Sequence, residues 1–350
     1  MAPRPVEPGD LPSAPTDGKR LCLLSLDGGG VRGLSSLYIL KRIMDELNRQ
    51  RKVKGLGCLK PCEVFDLIGG TCSGGLFAIM LGRLQLDVDD CIELWSQLVP
   101  EVFALPPFYR LPISITGNVQ PKYDSNILDS CIRDVMLRRG LTAEETLLDD
   151  SPRRCRSFVC VLKLSTQTVA RFRDYNIRDD YSKVPKIREA ALATSATTAY
   201  FDRVMIGNDV YIDGSLGANN PVEEVEHEAT NIWAPTTREL KPLVKCFLSI
   251  GAGSDGKRYA SDTAYSALSF FTNVTMKVAS GTEATEKRFA DRWYDGRRYF
   301  RFNVQEGLRD VGFDEHTKLG LIAGATEDYL LHPAQRFNVI ESRRHKRWFR

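Results

Sequence analysis

Residues 70–74 read Gly-Thr-Cys-Ser-Gly, the Gly-x-nucleophile-x-Gly spacing of a nucleophile elbow with Cys72 where serine is usual. A strand that turns abruptly into a helix lifts one side chain above the sheet edge, and the positions two residues either side must be small for the chain to double back. Gly70 and Gly74 meet that need around Cys72, and Gly75 relaxes the turn further. Ser73 fails as the centre, because Thr71 would then hold the upstream small position. Chemically this predicts attack on a carbonyl carbon. An ordinary small residue buried in a turn is the competing account of Cys72 taken alone.

Acyl transfer also needs donors for a developing oxyanion. The stretch DGGGVRG (27–33) offers Gly28, Gly29 and Gly30, whose backbone N–H groups can converge on one point ahead of a helix that begins near Leu34. Arg32 would steady the loop or the charge. The same residues satisfy Gly-x-Gly-x-x-Gly, a dinucleotide fingerprint, but that reading requires an acid about 20 residues further on. RQRKVKGLG (49–57) contains none. A purely structural turn is the third use of such a loop. In YIDGSLGANNPV (211–222), Asp213 closes a short apolar run, where it can act as general base or form an Asx-turn. The four histidines, His227, His316, His332 and His345, lie on no motif, so a histidine-based triad lacks its base.

These residues need elements to hold them. LCLLSL (21–26) has the length of a buried strand, and LSSLYILKRIMDELNRQ (34–50) has helical apolar spacing. The unit then repeats: CEVFDLIGG (62–70) reads as a strand and GLFAIMLGRL (75–84) as a buried helix. Further strands are expected at 157–164, 210–213, 244–251 and 299–304, with a helix entering a small-residue turn over 186–198. Alternation of this kind predicts an α/β domain with a mainly parallel central sheet, its ligands beyond the carboxyl ends of the strands. LPPFYRLPIS (105–114) is expected as a cover or entrance loop, and residues after about 255 as helical.

The 350 residues are 43% hydrophobic, enough for a substantial core, and 48 basic against 45 acidic side chains leave a net charge of +3. No field of that size points to nucleic acid. The nine cysteines sit mostly singly in apolar runs, which fits reduced thiols in the cytoplasm and neither a disulfide framework nor a zinc site. Residues 1–19, with five prolines, are expected as a disordered leader. No stretch of 18 apolar residues exists to cross a membrane. The basic run RFNVIESRRHKRWFR (336–350) is read as a solvated tail or the start of a linker, with attraction to an anionic surface the lesser alternative.

Taken in order, DGGGVRG, the elbow at 70–74 and Asp213-Gly214 resemble the three signature motifs of patatin-like phospholipases. KYDS (122–125), FRDYN (172–176), ALATSATTAYF (191–201), ANNPV (218–222) and LSIGAG (248–253) extend the likeness from about residue 20 to about 305, and it is greatest to the fungal branch. The resemblance implies a three-layer α/β/α fold over 20–305, followed by a helical, basic extension over 306–350, with further domains downstream in a longer parent. It implies hydrolysis of acyl esters in phospholipids or neutral lipids, without metal or organic cofactor, by a protein in transient contact with membrane surfaces. Residue by residue it assigns the nucleophile to Cys72, the base of a dyad to Asp213, and the oxyanion hole to Gly28, Gly29 and Gly30 beside Arg32. Cys72 departs from the family's serine, and Ser215 stands where Gly or Ala is more usual.

A thiol at a helix N-terminus is expected to ionise below its free value of about 8.5, opposed by a neighbouring carboxylate. Sulfur is also larger than the oxygen the site would be built for. One lost oxyanion contact costs about 10²–10³ in rate. Cys72 is therefore read as natural and active, natural and inactivating, or introduced to disable or trap the enzyme. The alternative class is a patatin fold that binds lipid or a partner domain without chemistry.

Overall fold

The computed structural model describes residues 20–105, 120–151, 153–177, 183–253, 281–293 and 298–343. The expected leader, nearly all of the 105–114 cover, the 254–280 part of the helical reading and the end of the basic run lie outside them.

One sheet contains β1 (Leu21–Leu26), β2 (Leu67–Thr71), β3 (Arg156–Lys163), β4 (Thr168–Arg173), β5 (Val204–Ile206), β6 (Asp209–Asp213), β7 (Val244–Ile250) and β8 (Tyr299–Phe302). Its order is β5-β6-β3-β2-β1-β7-β8, with β4 also on β3. From β3 to β8 the neighbours run parallel. At the other end β4, β5 and β6 pair antiparallel. The continuous apolar run of β1 is the mark of a strand covered on both faces. Cys22, Leu24 and Leu26 enter one core, and Leu21 and Leu23 the other.

The helices in chain order are α1 (Gly33–Val53), α2 (Pro61–Val64), α3 (Ser73–Ala78), α4 (Val88–Val102), α5 (Ser125–Arg138), α6 (Ile187–Ser195), α7 (Ser215–Ala218) and α8 (Val222–Trp233). They are followed by α9 (281–293), α10 (Leu319–Leu331) and α11 (Pro333–Arg343). Helix α1 buries Leu34, Leu37, Leu40, Met44 and Leu47 at helical spacing, in the core it shares with α3, α4, α5, α6 and α10. On the opposite face, Val225 and Ala229 of α8 meet Phe289 and Trp293 of α9 beneath Phe247. The result is the three-layer α/β/α arrangement that the resemblance implies.

The expected strand at 62–70 begins instead as helix α2. Pro61 is set for a first helical turn, and Glu63 accepts the Lys60 N–H at 2.7 Å, so extended backbone starts only at Leu67. Residues beyond 305 are built into the main body. Leu308, Val311, Ile322 and Leu330 belong to the α1 core, Thr326 bonds Ser35 at 2.8 Å, and the Val31 N–H donates to Phe313 O at 2.9 Å.

Candidate active site

Strand β3 brings the two key residues together. Over 156–160 one edge of it pairs with β2, ending at Thr71↔Cys160, while β4 holds its other edge over 158–163. Antiparallel β6 must therefore take the β2 edge where β2 stops, and its first pair there is Val161↔Asp213. Thr71 and Asp213 face consecutive residues of β3, so the carboxyl ends of β2 and β6 meet head to head. Cys72 is the next residue after β2.

Cys72 has φ 54° and ψ −124°, a backbone conformation costing a non-glycine residue about 1–3 kcal/mol. The flanking glycines are required by close backbone approach. A Cβ on Gly70 would lie 2.0 Å from Gly74 O, and one on Gly74 would lie 2.2 Å from Leu26 O. The DGGGVRG loop crosses directly above: a Cβ on Gly28 would meet Cys72 Cβ at 3.0 Å, and one on Gly29 would meet Ala252 Cβ at 2.3 Å. Gly30, at φ 57°, packs under Phe313.

The donors of this loop are not equivalent. The Gly28 N–H is already given to Asn219 O at 3.0 Å, which takes it away from Cys72. The backbone of Gly30 and of Ser73 hydrogen-bonds toward the Cys72 sulfur. Arg32 is buried, and its charge reaches the Tyr200 phenol. Asp27 anchors the loop's start, forming a bidentate pair with Arg301 at 2.9 and 2.5 Å.

Cys72 is buried, and its N–H donates to Thr194 Oγ1 at 3.0 Å. Its Sγ lies 3.7 Å from Thr197 Oγ1, which donates to Asp213 Oδ2 at 2.7 Å. Asp213 Oδ1 accepts from Ser215 N at 3.0 Å and Ser215 Oγ at 2.9 Å. Burial raises the Asp213 pKa above 3.8, against the pull of these hydrogen bonds. The thiol moves opposite to expectation: burial first, and the Asp213 charge second, push Cys72 well above its ordinary range. Helix α3 has only six residues, and desolvation outweighs whatever its N-terminus contributes.

Cys72 opens onto a pocket with Gly30, Leu76, Trp95, Leu98 and Phe313 in its wall. Leu76, Trp95 and Leu98 also line a second, wholly apolar pocket that runs between α4, α5 and α6 to Ile132, Met136 and Ile187. The Ser73 and Ser195 hydroxyls line the first pocket and bond nothing among the described residues. The two cavities are small, about 20 and 30 Å³, and share an apolar wall of the kind an acyl chain packs against.

The family model for patatin-like phospholipases matches residues 24–225, and the chain belongs to that family. Calcium-independent phospholipase A2-gamma of Rattus norvegicus is 29% identical over 306 residues, covering 83% of this chain and 35% of its own length. Patatin-like phospholipase 1 of Plasmodium falciparum is 27% identical over 363 residues, covering 94% of this chain and 50% of its own. The cGAMP-activated phospholipase of Vibrio cholerae is 30% identical over 240 residues, covering 65% and 63%. This chain thus spans about a third to a half of the first two relatives.

Several residues at the site were given no role by the sequence reading. Thr194 and Thr197 fall within ALATSATTAYF, where a run of hydroxyl residues after a helix was the available hint. Trp95 and Phe313 arrive from remote segments, and no local pattern marks them. No described helix is long and apolar enough to cross a membrane.

Proposed function

We propose that this chain hydrolyses acyl esters of phospholipids or neutral lipids, with Cys72 as nucleophile and Asp213 as base. One observation carries the reading: the head-to-head meeting of β2 and β6 sets a strained Cys72 beside Asp213 and its uncharged donors, next to an apolar wall. Asp213 takes the thiol proton as Sγ attacks the ester carbonyl. The oxyanion falls to the N–H groups of Gly29, Gly30 and Ser73, since Gly28 is committed to Asn219. The acyl chain packs against the apolar side chains shared by the two cavities, Leu76, Trp95 and Leu98, which move apart to admit it. Such a substrate brings a cytoplasmic protein into transient contact with membrane surfaces, with residues 20–305 as the hydrolase domain, the helices α10 and α11 packed on it, and further domains in a longer parent.

The second reading is a binding module without chemistry, favoured by the raised thiol pKa, which keeps Cys72 protonated at neutral pH. Hydrolysis of mixed phospholipids and short nitrophenyl esters by the parent, Cys72→Ser and Asp213→Ala separates the two. Activity in the parent that is lost on thiol alkylation makes Cys72 a working nucleophile. Activity in Cys72→Ser alone makes the cysteine the silencing residue. Silence in both, with lipid still bound, supports the binding module.

A further inference from the structure

We infer that Thr197 is a third catalytic residue, a hydroxyl relay between the Cys72 thiol and the Asp213 carboxylate. The geometry gives each end a role. Thr197 Oγ1 has one proton, and the 2.7 Å contact to Asp213 Oδ2 commits it there, because a carboxylate can only accept. The remaining contact, 3.7 Å to Cys72 Sγ, must then be filled by the thiol as donor. Asp213 Oδ1 is held by the N–H and hydroxyl of Ser215, so Oδ2 is the oxygen turned toward the nucleophile. Thr197 is itself fixed: its carbonyl accepts the N–H groups of Tyr200 and Phe201, at 2.9 and 3.1 Å. The N–H of Asp213 donates to Ala196 O at 3.1 Å, which locks the threonine turn to the end of β6.

The inference rests on the acyl-hydrolase reading and deepens it. As the Cys72 Sγ bonds to the acyl carbon, the S–H bond breaks and its proton moves to Thr197 Oγ1. The threonine's own proton moves to Asp213 Oδ2, and the carbonyl π pair becomes the oxyanion. Collapse of that intermediate breaks the carbon–oxygen ester bond. The departing alkoxide takes the proton back from Asp213 along the same path. Water then attacks the thioester, giving its proton to Asp213, and the expelled thiolate recovers a proton through Thr197. The hydroxyl ends each step unchanged. Once the thiol has lost its proton, the Thr197 hydroxyl can turn its own from Asp213 to the thiolate, and in that orientation its hydrogen bond favours the ionised sulfur, against burial and against the Asp213 charge.

The test is the rate at which a small thiol reagent, methyl methanethiosulfonate, modifies Cys72 between pH 7 and 9, read by mass spectrometry of the Cys72 peptide. Parent, Thr197→Val, Thr197→Ala and Thr197→Ser are compared, with melting temperatures recorded for each. Loss of the hydroxyl is expected to slow modification about tenfold at each pH, the equivalent of one unit of thiol pKa. Thr197→Ser, which keeps the hydroxyl, is expected to stay within about threefold of the parent and to retain its hydrolysis rate, while valine lowers hydrolysis about 10²-fold. Valine and alanine variants that melt like the parent and react at the parent's rate, fast or negligible, would overturn the relay. A tenfold difference in modification with no hydrolysis by parent or Cys72→Ser upholds the Thr197 coupling and rejects the hydrolase reading.

Discussion

Asp27 and Asp213 are both buried aspartates at the carboxyl ends of strands of one sheet, yet their surroundings fit them for opposite tasks. Asp27 faces a guanidinium: Arg301 grips both its oxygens, and although that charge works against burial, burial still leaves the Asp27 pKa raised. Asp213 is held by uncharged groups, the Thr197 hydroxyl, the N–H and hydroxyl of Ser215 and, less strongly, the Cys72 thiol itself, and burial leaves its pKa raised too. Desolvation acts on both carboxyls, so the difference lies in their partners: a cation occupies both Asp27 oxygens, whereas the Asp213 oxygens face neutral groups, one of them a hydroxyl in contact with the thiol. Position at a strand end therefore marks a candidate, and the charge of the partner decides its use. Asp27 anchors the glycine loop, and Asp213 can move a proton.

Matched amide substitutions should pull the two residues apart. Asp213→Asn is expected to lower ester hydrolysis by about 10²–10⁴ while leaving the melting temperature unchanged or higher, since a buried charge is lost and its hydrogen-bonding shape is kept. Asp27→Asn leaves the buried Arg301 with Glu286, 3.4 Å from its Nε, as remaining counter-charge and without its bidentate partner, and is expected to cost about 3 kcal/mol in urea unfolding. Arg301→Met combined with Asp27→Asn should recover most of that loss, because the pair is then removed whole. Equal effects of the two amides on stability and on rate would erase the distinction between anchor and base.

This difference was only half legible in the sequence. Gly70 and Gly74 announced the elbow, because backbone passing within 2.0–2.2 Å of a would-be Cβ forbids any other residue. Gly28, Gly29 and Gly30 announced a loop but not the direction of its N–H groups, and one of the three is spent on Asn219. The strands buried on both faces were visible as apolar runs. Half-exposed β4 and three-residue β5 lack such a run, and without β6 taking over the edge of β3 only the family resemblance, and no pattern in the residues themselves, brought Asp213 next to Cys72. Thr197 and Phe313 reach the site by tertiary approach, which has no period. The thiol pKa failed for a physical reason: a helix terminus is readable in sequence, whereas the depth of burial that overrides it is not.

Ser215 supplies the finest test of the comparison. Its hydroxyl and its N–H both favour ionised Asp213, so Ser215→Ala removes one of the neutral donors and leaves the backbone donor in place. The base works only when ionised. Because its native pKa lies above 3.8, hydrolysis should fall as pH drops through a midpoint above the ordinary carboxylate value. Ser215→Ala should move that midpoint upward by about one unit or less, with little change in the plateau rate. Stability must follow with a defined sign. A carboxyl whose native pKa is raised is penalised where it is ionised, above that pKa, and the penalty disappears below the unfolded value. Ser215→Ala should therefore be less stable than the parent by about 1 kcal/mol at pH 7, and the gap should close as pH falls through the native pKa of Asp213. A gap that persists at low pH would mean that Ser215 serves the α7 turn and not the base.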